Sequence, residues 1–162
     1  MTQTPSEVLR FRWLDAMLPD VPFDGWTEAT AARAAKQAGL SEGEQALAAP
    51  NGVPDLIDAF FDRAGQAARE ALADQDISAL KTPARVKAGV LAWLAALEPN
   101  REAVRRAAVR GLLPWGAASA VQRTWRIADM VWDEAGDTSE DYNRYSKRGL
   151  LAAVIPPIIM YW

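Results

Sequence analysis

The side chains able to do chemistry in this 162-residue chain are carboxylates, guanidinium groups, lysines and hydroxyls. There is no cysteine and no histidine. That excludes disulfides, thiol nucleophiles, imidazole bases, Ser-His-Asp triads and the usual zinc and haem sites. A carboxylate-based acid–base or metal site is the chemistry left, and no pair of carboxylates stands out for one. The charged residues that do cluster are Asp129, Asp137, Asp141, Arg144, Tyr145, Lys147 and Arg148. Asp141 and Tyr145, and Arg144 and Arg148, are four apart, so each pair shares a helix face.

Two helices must position this cluster. In the first, Ala118, Val121, Trp125, Ala128 and Trp132 recur at steps of three and four and stack on one side. Arg123, Arg126, Asp129 and Asp133 point elsewhere. Gly136 ends that helix, because glycine enters the left-handed conformation without a Cβ penalty. Thr138 as N-cap and Asp141 at N3 are expected to start the second helix. It begins polar and becomes almost wholly apolar after Arg148, with Pro156 and Pro157 inside the apolar run. Proline removes a backbone donor and crowds the preceding turn, so a kink or a helix end is expected there.

Upstream, helices are predicted over Pro5–Leu18, from Thr27 to Gly39, over 41–49 with Ser41 as N-cap, and over Val53–Ala73. Two more follow, from Thr82 to Leu97 and from Arg101 to Leu113, each ended by a proline-containing turn. Phe23–Trp26 reads as a turn. Leu56, Ile57, Phe60, Phe61, Ala64, Ala67, Ala68 and Leu72 form the predicted inner face of the long fourth helix. No period-two pattern and no repeat occurs, and half the residues are apolar. The fold class is therefore all-α, about eight helices, in one structural unit: a degenerate helix-turn-helix module at 1–52, then a helical ligand-binding and dimerisation body at 53–162. Three short helices ahead of a long fourth one are laid out like a TetR-type regulator, an analogy of fold only.

Charge weighs against DNA. Residues 1–80 hold 6 Lys and Arg against 13 Asp and Glu, a net −7; residues 81–162 hold 12 against 8, a net +4. Binding to DNA depends on cations that neutralise phosphates. The would-be reading helix, SEGEQALAA, has Glu42 and Glu44 and no base. No nucleic-acid partner is expected, and a TetR-family transcriptional regulator with an apolar effector pocket is the alternative reading. The basic set Arg101, Arg105, Arg106, Arg110, Arg123 and Arg126 reads as a solvated helix face, with anionic lipid or an acidic protein as the other possibility. The N-terminus lacks a signal-peptide pattern, and the longest apolar run, Gly149 to Trp162, is short and proline-interrupted. The expected location is cytoplasmic, with peripheral contact at the inner membrane left open.

The block AD-x-x-W-x-x-AGD-T-S-x-D-x-N-x-Y-x-KR, from Ala128 to Arg148, closely resembles the ubiquinone-biosynthesis family of coenzyme Q protein nine. Bacterial members are also called RpsU-divergently transcribed proteins. A looser likeness runs back through LLPWG and EPNREAVRRAA over nearly the whole chain. The resemblance implies a TetR-like fold that has lost DNA binding, a homodimer, and an apolar cavity for isoprenoid or other lipids. It implies a non-enzymatic accessory role with no cofactor, in which ubiquinone precursors are presented to the di-iron demethoxyubiquinone hydroxylase. It also implies a partner surface, which falls on Asp137, Asp141, Arg144, Tyr145 and Arg148. Arg144 stands where relatives often carry tryptophan. Relatives also continue past the position of Trp162 into a membrane-touching amphipathic segment.

Candidate lining for the lipid cavity is Val90, Trp93, Leu97, Val121, Trp125, Ala128, Trp132, Val154 and Ile158, with Ile155 and Ile159 beside them. An alanine-rich core with seven tryptophans either packs backbones closely or leaves a void for a ligand, and periodicity does not choose between these.

Overall fold

The computed structural model describes residues 3–162. Nine α-helices follow one another among them: α1 Pro5–Met17, α2 Val21–Asp24, α3 Glu28–Gln37, α4 Glu42–Ala48, α5 Val53–Ala73, α6 Thr82–Leu97, α7 Arg101–Gly111, α8 Pro114–Glu134 and α9 Tyr142–Tyr161. A 3-10 turn, Glu98–Asn100, links α6 to α7. No strand occurs among the described residues, so the protein is all-α.

Local chemistry sets most of the helix starts. Thr4 with Glu7, and Ser41 with Glu44, form reciprocal capping boxes at α1 and α4. Thr27 caps α3. Gly52, at φ +72°, turns the chain into α5. Between α8 and α9, Gly136 takes φ +79°, and the Asp137 N–H returns to the Trp132 carbonyl at 3.0 Å, as a Schellman stop requires.

One continuous core runs from the first helices to the last. α1 packs on α3, α4 and α5, while α5 lies against α6 and α8. Four rings cross the centre in sequence. Trp26 meets Phe60 at 5.6 Å, Phe60 meets Phe61 at 5.1 Å, and Phe61 stacks on Trp93 at 6.0 Å. Such ring pairs add roughly 0.5–1.5 kcal/mol each beyond the area they bury. Two indoles also tie separate helices: Trp13 donates to the Ala31 carbonyl and Trp26 to that of Ala103, each at 2.8 Å.

Several boundaries differ from expectation. Phe23 and Asp24 belong to the short helix α2 rather than to a plain turn. α7 stops at Gly111, and Pro114 starts α8 instead of ending α7, since the first turn of a helix needs no N–H from it. Asp141, not Thr138, caps α9, accepting from the Asn143 N–H at 3.1 Å. α9 continues through Pro156 and Pro157 to Tyr161, so the pair does not terminate it. Buried Ile155 and Ile159 hold the helix to the core on both sides of the prolines. Ala67 faces solvent, because α5 turns its flanking positions Ala64 and Ala68 inward.

The face of α8 is rotated from the one that its tryptophans suggest. Its buried positions are Arg123, Ile127, Ala128, Met130 and Val131, which meet α5 and α6. Gly89 of α6 permits that approach: a Cβ there would lie 3.1 Å from Val131. Ala118, Val121 and Trp125 are left on an outer side.

Candidate functional site

That outer side of α8 forms one wall of an open groove of about 630 Å³, within the usual size of ligand sites. α7 supplies Val104, Ala108 and Val109, with Leu112 just past its end; α9 supplies Ala152, Ala153, Ile155, Pro156, Ile159 and Met160; Phe61 of α5 joins Ile127 in the wall. The three helices stand apart at the rim, and their apolar side chains remain in water: Leu112 is 75% exposed, Val121 69% and Met160 73%. A patch this apolar and concave is the kind of surface that a ligand or partner covers.

Close contact between α7 and α8 shapes one end. Gly116 lies so near the end of α7 that a Cβ would stand 2.2 Å from the Arg110 carbonyl. At the opposite end, the Arg101 guanidinium covers the Trp162 ring at 4.4 Å, fastening the tip of α9 to the start of α7.

Of the residues expected to line a lipid cavity, Val121 and Trp125 are in this wall, as are Ile155 and Ile159. Trp93 is not: it is buried at the far side of Phe61 in the ring chain. Leu97 and Ala128 are fully enclosed in the core, and Val90 packs against it. Trp132 lies against the start of α9, donating to the Lys147 carbonyl at 3.1 Å with the Lys147 ammonium 5.4 Å above its ring. Val154 points to solvent, and Ile158 packs on the core outside the groove. Sequence reasoning missed the contribution of α7. Val104, Ala108 and Leu112 carry apolar spacing that continues across Arg105, but the density of arginine there reads as a solvated face.

That basic face is also partly turned inward. Arg123 is buried and paired with Asp58 at 2.9 Å. Arg110 donates to the Trp26 carbonyl at 2.8 Å, and Arg106 to that of Pro22 at 3.0 Å.

The charged cluster separates into a buried knot and an exposed surface. Arg148 is 1% exposed. Its guanidinium meets Asp129 through Nε, Asp133 at 2.8 Å and Asp137 at 2.7 Å. The three aspartates are spaced by four, so α8 and its Schellman turn present them as one column to the fork of the arginine. Lys147 adds bonds of 2.9 Å to Asp137 and to the Ser139 hydroxyl, and Arg144 reaches Asp129 at 3.1 Å. The Lys147 and Ser139 hydrogen bonds, against the cost of burial, hold the Asp137 carboxyl well below the usual carboxylate range. Burial works against the charge of Arg148, but the aspartates outweigh it and raise its pKa. Arg148 and Asp137 therefore fasten α9 to α8, and neither is available as a surface contact. The four-residue spacing of Asp129, Asp133 and Asp137 is legible in the sequence; the arginine that meets them is not fixed by that spacing.

Asp141 and Tyr145 do face outward, and Arg144 is half-buried. The Tyr145 ring stacks on Trp125, with centroids 6.4 Å apart and planes at 28°. Trp125 is in the groove wall, so one aromatic pair joins the groove to the exposed start of α9. Gly149 leaves room for that indole: a Cβ there would sit 3.8 Å from it.

An all-helical body with an apolar groove at its α7–α9 surface, and a charged knot beside it, is the class that these features define. Residues 117–162, which span most of α8 and all of α9, match the COQ9 family model. Human mitochondrial ubiquinone biosynthesis protein COQ9 is 30% identical over 156 residues, 92% of this chain and 49% of that protein. The rat protein of the same name is 28% identical over 92% of this chain and 50% of its own length. Residues 117–162 thus carry the likeness to the COQ9 family model, the rest of the chain is similar to COQ9 proteins, and the chain spans about half the length of the curated relatives it matches. No helix among the described residues is long and apolar enough to cross a membrane.

Proposed function

We propose that the chain is a non-enzymatic lipid-binding accessory protein of ubiquinone biosynthesis. It holds an isoprenoid quinone precursor in the α7–α9 groove and presents it to the demethoxyubiquinone hydroxylase. The observation that carries this reading is the groove itself: about 630 Å³, with a wall almost entirely of Ala, Val, Ile, Leu and aromatic carbons. Covering its exposed rim is favourable at roughly 25 cal/mol per Å² of apolar surface. The likeness to relatives named for ubiquinone biosynthesis supports the choice of lipid class.

The partner face in this reading is the exposed start of α9, with Asp141, Tyr142 and Tyr145 as its contacts and Arg144 at its edge. The stacking of Tyr145 on Trp125, a residue of the groove wall, supports a partner face beside the groove in this reading. Homodimerisation and peripheral contact with a membrane belong to the same proposal, since either would cover Val109, Leu112 and Met160. The acidic start of α4, with Glu42 and Glu44, counts against the alternative of a DNA-binding regulator.

Mass spectrometry of an organic extract of the purified protein tests the reading. An isoprenoid lipid that co-purifies, and that exchanges with added ubiquinone precursor, is the expected result. An extract without lipid, from a protein that also takes up none, would refute it. Association with the purified hydroxylase should weaken in Tyr145→Ala while thermal stability is kept; unchanged association would remove this face from the mechanism.

A further inference from the structure

The groove wall has four side chains with polar atoms: Arg105, Thr124, Arg123 and Trp125, whose neutral indole offers a single N–H. The Thr124 hydroxyl is committed to the Ala120 carbonyl of its own helix, at 2.8 Å. Arg105 is exposed on the outer turn of α7, 3.6 Å from Glu102. Arg123 is different. It is 7% exposed and lies 5.5 Å from the centroid of the Phe61 ring, itself in the groove wall. Its Nε–H donates to Asp58 at 2.9 Å, while its two Nη amino groups have no acceptor among the described residues. A guanidinium has five N–H donors, so most of this one's capacity is unspent. Asp58 is also shared, taking Arg126 at 3.2 Å, and so only part of its charge serves Arg123. Burial accordingly lowers the Arg123 pKa against the pull of Asp58. The other space beside Arg123 is a cleft of about 20 Å³, large enough for about one water. The groove is the space that admits a larger acceptor.

We infer that Arg123 is the polar anchor of the groove, and that the occupant is an amphiphile whose head presents oxygen acceptors rather than an ammonium. This rests on the lipid-holding reading above. The head, a carbonyl, carboxylate or phosphate oxygen, accepts from the Nη groups at the α5–α8 wall. The tail then runs along Ile127, Ile155 and Ile159 toward the open rim. An ammonium head would bring a second cation beside Arg123 and leave the Nη groups still without an acceptor. The arrangement is selective because, apart from the single indole N–H of Trp125 and the exposed Arg105, the wall is apolar and gives a wrongly placed polar head little to bond to.

Isothermal titration of the full chain with dodecanoate, decylbenzoquinone and dodecylamine, all below their micellar concentrations, tests the inference. Dodecanoate and decylbenzoquinone should bind, and dodecylamine should bind about tenfold more weakly or worse. Arg123→Gln should weaken both acceptor-headed probes by about tenfold or more. The head class that loses more identifies whether an anion or a neutral carbonyl is the better fit. Arg123→Gln also breaks the pair with Asp58, so Asp58→Asn serves as the second variant. It loses the same pair but keeps the guanidinium, and should bind dodecanoate at least as tightly as the parent. Equal weakening in both variants would assign Arg123 a structural role and overturn the inference. So would dodecylamine binding as tightly as dodecanoate, or full binding by Arg123→Gln. If the parent binds none of the three, the lipid-holding reading fails and takes this inference with it.

Discussion

Replacing Arg148 with glutamine removes the residue that three aspartates share, and the cost follows from what each carboxylate has left. Asp133 has a side chain 47% exposed and returns to water, which is worth no more than about 1 kcal/mol. Asp129 is partly exposed and keeps Arg144 at 3.1 Å. Asp137 has a side chain only 5% exposed, and keeps Lys147 and Ser139 but loses its tightest cation. Breaking a buried pair by removing one partner costs about 3–5 kcal/mol. With two of the three carboxylates partly rescued, the lower end applies, ~3 kcal/mol. For a chain of this size that is a fall of roughly 6–12 °C in Tm. Urea unfolding followed by circular dichroism measures it. Asp133→Asn should cost less than about 1 kcal/mol in the same assay. Arg148→Lys should recover only a minor part, since one ammonium cannot reproduce a fork reaching three carboxylates. An Arg148→Gln protein within ~1 kcal/mol of the parent, or an Asp133→Asn variant equally damaged, would refute the knot as the fastening of α9.

The same knot sets an acid limit. Asp137 has a folded pKa below its unfolded value, near 3.9, so its contribution is fully present above that value and is lost as pH falls through the folded pKa. Stability from about pH 5 downward should therefore drop more steeply in the parent than in Asp137→Asn, as measured by urea midpoints at each pH. Two helical glycines should respond with opposite sign in thermal melts. Gly116→Ala forces a Cβ against the Arg110 carbonyl and should cost about 1–3 kcal/mol, whereas Gly149→Ala meets Trp125 at ordinary contact distance and should gain about 0.5–1 kcal/mol. Tyr145→Ala gives up one solvent-facing ring stack and should cost no more than about 1 kcal/mol by urea unfolding.

The all-α class and most helix starts were readable because they are local. Ser41 with Glu44, Thr27, Gly52 and Gly136 each set their own backbone neighbourhood, and no distant contact overrides them. The groove was less readable. Val121 and Trp125 sit on an apolar stripe that predicts burial, and only the placing of α5 and α6 against Ile127 and Val131 turns that stripe outward. Trp93 and Leu97 have the same composition and periodicity, but α5 covers them. The fate of Arg123 and Arg148 depends on carboxylates 65 and 11–19 positions away. Helical periodicity has no term for pairing at such distances, so Arg123 reads as a surface cation, and Arg148 reads either as paired with some carboxylate or, by the family resemblance, as part of a partner surface. Both Thr138 and Asp141 can cap a helix, and local sequence alone does not choose between them; Asp141 is the one that accepts from the Asn143 N–H.

The proline pair gives α9 two regimes. Pro156 and Pro157 carry no N–H, so the carbonyls of Ala152 and Ala153 receive no bond from the next turn, and both alanines belong to the groove wall. Upstream, Arg148 clamps the helix to α8; downstream, Ile159 and the Arg101–Trp162 contact hold its tip. Bending is thereby concentrated in one short segment between two fixed ends, like the soft middle of a bow. Any change in the width of the groove would fall on that segment, away from the charged knot and from the face around Tyr145.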